Sequence, residues 1–120
     1  MSLHQIAFYF FAAIAAGGLS MAAMFAIGIK VPSFVGPGHG IGGLAALATL
    51  FYANLKGGDA TPDLAWWALV VFLGGFIGGM LLFRVLFKGA APMALIAVHG
   101  SVGALGLYLL YGVAFPALTL

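Results

Sequence analysis

The 120-residue chain contains no cysteine and almost no charge. Without cysteine there are no disulfides, no thiolate metal sites and no thiol nucleophiles. Charged residues make up 5% of the sequence, and Asp59 and Asp63 are the only acidic ones. Both fall in one polar stretch, so two-carboxylate catalysis and carboxylate-driven ion coupling within a membrane lack their residues. Lys30, Lys56, Arg84 and Lys88 are the four basic residues, too few to build a nucleic-acid surface. Met1-Ser2-Leu3-His4-Gln5 carries no Lys or Arg. A secretory signal opens on a basic region, so the first apolar run reads as a retained span.

What remains is apolar. Hydrophobic residues are 65% of the chain and the mean hydropathy is +1.25. A soluble domain of that composition could not cover its surface with polar groups, because soluble domains carry roughly 25% charged residues. Lipid is the solvent that suits it, and in lipid the backbone must satisfy itself as helix. At about 20 residues per span, this length allows four transmembrane helices and little else.

Four apolar runs are visible, at about 6–29, 32–55, 64–87 and 92–115, with Gly, Pro and polar breaks between them. The halves resemble one another. Pro32, His39, Gly40, Gly43, Leu47 and Leu50 match Pro92, His99, Gly100, Gly103, Leu107 and Leu110 at a constant offset of 60. Upstream the offset slips to 57 or 58, pairing Gly17-Gly18 with Gly74-Gly75, Phe25 with Phe83 and Lys30 with Lys88. The expected fold is an all-α integral membrane protein of one domain over residues 1–120. Two tandem helical hairpins of parallel orientation, about 5–55 and 64–116, flank a polar loop at 56–63 and form a four-helix bundle. If helices two and four start at Pro32 and Pro92, each histidine lies about 10 Å below its helix start. The alternative start for helix two is Pro37.

The positive-inside rule places Lys30, Arg84 and Lys88 in the cytoplasm and both termini outside, in a membrane of the bacterial inner-membrane type. Trp66 and Trp67 then suit the outer interface, as do Tyr52, Tyr108 and Tyr111.

His39 and His99 are the best functional lead, because a titratable side chain in hydrocarbon is costly. Each stands over small residues at i+4 and i+7: Gly43 and Ala46 in one copy, Gly103 and Gly106 in the other. Tight helix packing uses such strips, with the histidines hydrogen-bonded to a neighbour. A flat cofactor uses them too, since a porphyrin needs an axial nitrogen on each side and bare helix along its faces. On that reading His39 and His99 ligate one b-type haem between helices two and four. Gly43, Ala46, Gly103 and Gly106 flank it, and Arg84, Lys30 and Lys88 partner its propionates. Met80 and Met24 are fallback thioether ligands. Another flat pigment in the same slot is not distinguished by these residues.

The function expected first is electron transfer as a cytochrome-like membrane protein or subunit with no substrate chemistry of its own. A quinone or cytochrome would be its electron partner, and other membrane subunits or further copies its neighbours. The second expectation is a cofactor-free accessory subunit of a larger respiratory or photosynthetic complex. The third is a small transporter with the histidines along a polar path. His4, at the start of helix one, reads as an interfacial histidine without metal partners. Gly38-x-Gly40-x-x-Gly43 matches a dinucleotide fingerprint only superficially, because no strand precedes it.

Overall fold

The computed structural model describes residues 1–88 and 91–118 and is all-helical over them. Helix α1 spans Leu3–Ala26, α2 Val35–Gly57, α3 Asp63–Met80 and α4 Met93–Ala114. Helix α3 continues without a break into a π-helical segment, Leu81–Leu86. Short 3-10 turns follow α2 and α4.

The helix ends follow from local chemistry. Ser2 caps α1, accepting from the Gln5 amide, while the Gln5 side chain accepts from the Ser2 amide. This reciprocal pair starts α1 three residues before the first uninterrupted apolar run. Gly28 and Gly58 take positive φ, 75° and 52°, where side chains other than glycine are strained, and they close α1 and α2. Helix α2 begins at neither proline considered from the sequence. It starts at Val35, so Pro37 sits in the first turn, where its missing N–H is not needed and no kink follows. His39 is therefore about 6 Å along its helix rather than 10 Å.

Helix α1 packs on α2 and α4, and α3 packs on α4 and α2. Short links make neighbours antiparallel, so the four form a ring with α2 diagonal to α4. The core is small and sits in the half near the chain ends. Ala7, Phe11, Ala46, Leu50, Ala68, Phe72 and Leu110 are buried together, and Phe11 stacks on Phe72 with ring centroids 3.6 Å apart. Phe72 lies against Gly106, where a Cβ would come within 2.6 Å of the ring.

Polar groups near the chain ends are tied across helices. Asn54 is fully buried; its Oδ1 is 2.9 Å from His4 Nε2, which donates to it, and its Nδ2 donates to the Ala65 carbonyl at 3.1 Å. Gln5 Nε2 donates to the Ala114 carbonyl at 3.2 Å. Thr61 Oγ1 donates to the Asn54 carbonyl at 2.7 Å. These bonds join α1, α2, α3 and α4 at one end of the bundle. His4 is thus hydrogen-bonded to Asn54 on the neighbouring helix, a contact its sequence position does not reveal.

Three helices are long and apolar enough to cross a membrane: Leu3–Ala26, Asp63–Leu86 and Met93–Ala114. Helix α2 is as long, but it dilutes its apolar residues with His39, Asn54, Lys56 and several glycines. Large apolar side chains point outward on all four, including Leu19, Ile41, Val70 and Leu105.

Replacing Asn54 by Leu removes the shared partner of His4 and the Ala65 carbonyl. A destabilisation of about 1–3 kcal/mol is expected. It is measured by denaturant titration of the detergent-solubilised protein, with helical circular dichroism as the signal.

Candidate functional site

The opposite end of the bundle is open. A cavity of about 590 Å³ lies between the second half of α1, the start of α2, the end of the π segment and the start of α4. His39 and His99 both line it, with ring centroids 6.2 Å apart and ring planes inclined at 66°. The histidines come from diagonal helices and meet across the bundle axis.

Each imidazole is seated on a glycine of the adjacent helix. A Cβ built on Gly18 would stand 2.9 Å from His39 Cε1, and one on Gly79 would stand 2.8 Å from His99 Cε1. Only glycine leaves that space, because an imidazole is too bulky to lie between two helices in full contact. The backbone carbonyl facing the His39 ring is Ile14, and that facing His99 is Gly75, each four residues before the seat. His39 Nδ1 is nonetheless buried without a hydrogen bond of normal geometry. His99 is further packed edge-on by Phe83, with centroids 5.4 Å apart.

The two halves therefore repeat the same arrangement, yet in a different register upstream from the one read in the sequence. Gly18 corresponds to Gly79, an offset of 61, and not to Gly75. Helix α1 and α3 with its π extension are both 24 residues long and start 60 apart. Runs of glycine in both helices allow several gapless alignments, and only the three-dimensional contact with histidine selects among them.

The π segment shapes the cavity wall. Its wider turn brings consecutive residues closer to one face than in an α-helix. Phe83 and Arg84 both line the cavity, with Arg84 and Lys88 on the side toward the α3–α4 link. Phe25, matched with Phe83 in the sequence, lines the opposite wall with Met21.

Of the residues singled out in the sequence, the structure brings together His39, His99, Arg84 and Lys88. Lys30 is exposed and does not line the cavity. Gly43, Ala46, Gly103 and Gly106 do not line it either. Gly43 faces Phe76 at 3.7 Å from an added Cβ, Ala46 is in the core and Gly106 is covered by Phe72. The positions i+4 and i+7 from each histidine run toward the closed end; Phe76 and Phe72 take the room at Gly43 and Gly106, while Gly103 has open space beside it. The flat surfaces beside the imidazoles belong to the facing helices instead. Met24 and Met80 are also outside the cavity; Met21 is the methionine within it.

Among the described residues no cluster of three or more His, Cys, Asp or Glu side chains exists. The site offers two nitrogens and no further metal-ligating side chain of that kind. No family model, curated protein or solved structure matches the chain.

The glycine seats make a direct test possible at adjacent positions. Gly79→Ala is expected to displace the His99 ring and shift its Hε1 resonance, while Gly78→Ala, whose Cβ meets open space, leaves it in place. The readout is the ¹H–¹³C spectrum of histidine-labelled protein in detergent micelles, where three histidines give three resolved signals.

Proposed function

We propose that the protein is a four-span membrane electron carrier holding one b-type haem between His39 and His99. The observation that carries the reading is the pair of imidazoles with ring centroids 6.2 Å apart in a largely apolar cavity. Imidazole nitrogen binds first-row metals at about 2 Å, so two rings on opposite sides of one ion have centroids roughly 6 Å apart. With only two protein nitrogens at hand, a porphyrin is the group that completes the coordination. A cavity of about 590 Å³ falls in the range of cofactor pockets.

The chain's own residues have distinct tasks. His39 and His99 would hold the iron, and Gly18 and Gly79 leave the space in which their rings sit. Phe25, Phe83 and Met21 exclude water and lower the local dielectric. Arg84 and Lys88 neutralise the propionates at the mouth; Lys30, outside the cavity, serves as an interfacial anchor. The haem supplies one-electron chemistry when bound, and the protein itself transforms no substrate.

Membrane insertion of all four helices is part of the same proposal. Helix α2 enters as one arm of a hairpin with α1, its polar His39 and Asn54 turned inward. The basic end at Lys30, Arg84 and Lys88 faces the cytoplasm, and the clasp at His4 and Asn54 faces outward. A quinone in the bilayer or a redox subunit at the basic end exchanges the electron.

A second reading has its own support. Gly74, Gly78 and Gly100 have open space where a Cβ would stand. Small residues facing outward allow close approach of another helix, so the chain also fits a subunit packed against partner helices or further copies.

Purified from haem-replete cells, the protein is expected to show a Soret band and sharp α and β bands on reduction. His39→Ala and His99→Ala are each expected to abolish the six-coordinate spectrum. A folded, colourless protein free of iron would refute the haem reading. The orientation is tested separately, since the chain has no native cysteine. Lys88→Cys should react with a membrane-impermeant maleimide only from the cytoplasmic side, and Ser2→Cys only from the other.

A further inference from the structure

The open end of the bundle gathers positive charge and no negative charge. Arg84 and Lys88 line the cavity of about 590 Å³ and are exposed at its mouth. Neither forms an ion pair or a hydrogen bond with another described residue. Asp59 and Asp63, the only acidic side chains, sit at the opposite end. Asp63 opens α3 and stands about 30 Å from Arg84 along the helix. No acidic side chain of the protein can therefore reach the two cations. Behind them the walls include Met21, Phe25, Phe83 and Ile96. Gly79, the seat of His99, lies about 7 Å deeper than Arg84 along the same helix. Water suits such a space poorly. The volume equals that of roughly 20 waters at about 30 Å³ each, and each would need about 2–4 polar partners. His39 and His99 are the other two polar side chains on the wall.

We infer that the cavity takes a single-chain amphiphile with a carboxylate head, that is, a fatty acid, held at the mouth by Arg84 and Lys88. The planar guanidinium of Arg84 donates two parallel hydrogen bonds to a carboxylate, and Lys88 adds a second positive charge. The alkyl chain then lies among the apolar walls, where each methylene removed from water favours binding. The opening lies between the tips of four helices, so the ligand enters end-on. One chain is accommodated that way, whereas a two-chain phospholipid would leave its second chain outside. The inference needs only the cavity and its two unpaired cations. It shares Arg84 and Lys88 with the haem reading but does not rest on it, and the two occupants would compete for the space.

The test uses the full-length protein produced in haem-deficient cells, so that no porphyrin occupies the cavity. It is titrated with decanoate in maltoside micelles, and the Hε1 signals of the three histidines are followed. Saturable shifts are expected at His39 and His99, which line the cavity, and none at His4, which is bonded to Asn54 at the other end. Uncharged 1-decanol should need at least tenfold more ligand for half-saturation, as should decanoate with the Arg84→Gln/Lys88→Gln double variant. Both cations are exposed and unpaired, so the double substitution is expected to leave the helical circular dichroism unchanged. Lys30→Gln, an exposed cation outside the cavity, should bind like the wild type. The inference is overturned if decanoate leaves His39 and His99 unshifted, or if decanol binds as well as decanoate. It is also overturned if Lys30→Gln weakens binding as much as the double variant, since the effect is then one of overall charge. Decyl phosphate binding tenfold more tightly than decanoate overturns the carboxylate assignment. A colourless protein from haem-replete cells removes the haem reading and leaves this inference standing.

Discussion

The contact on which the arrangement depends is an imidazole ring lying on a glycine backbone. Two α-helices in apolar contact stand about 8–10 Å apart, too close for a ring between them unless one side gives up its side chain. Gly18 and Gly79 give up theirs. Each histidine can then turn inward at the level of the helix starts, and the two rings meet across the diagonal of the bundle. A Cβ at either seat would push a polar ring aside in a chain with almost no other polar surface to receive it.

From that contact the bundle divides into two ends of different character. At the end where the chain begins, Asn54 bonds to α1 and α3, Gln5 bonds to α4, and the Phe11–Phe72 stack fills the centre. Every buried polar atom of Asn54 there has a partner, which is what a low-dielectric interior demands. At the other end, the π segment turns Phe83 and Arg84 toward the same space, and the helices part around the histidines. One sequence thus builds a closed half from aromatic and amide groups and an open half from glycine and imidazole.

Helical class, helix number and the pairing of His39 with His99 were legible because hydropathy and a constant 60-residue register are long-range patterns. The details that failed are short-range. Gly43 and Gly106 look from their spacing like room beside the histidines, but Phe76 and Phe72 on α3 take it, and nothing in α2 or α4 alone reveals a ring arriving from another helix. The seats at Gly18 and Gly79 were hidden among doubled glycines, since Gly17-Gly18 and Gly78-Gly79 differ only in the face they present. Asn54 went unremarked because a single amide near a helix end usually reaches water; its burial follows from His4 and Ala65 converging on it. The π turn has no marker in Leu81–Leu86 and arises from packing.

The amide clasp also bears on how such a molecule is assembled. It joins all four helices at one end without using any residue of the cavity at the other. The chain can complete its topology and secure its helices before anything enters the space between the histidines. Access to the cavity needs only a parting of helix tips at the open end, where Gly36, Gly38 and Gly40 leave α2 few side chains to disengage. The stability of the closed end is in this sense separable from the state of the open one.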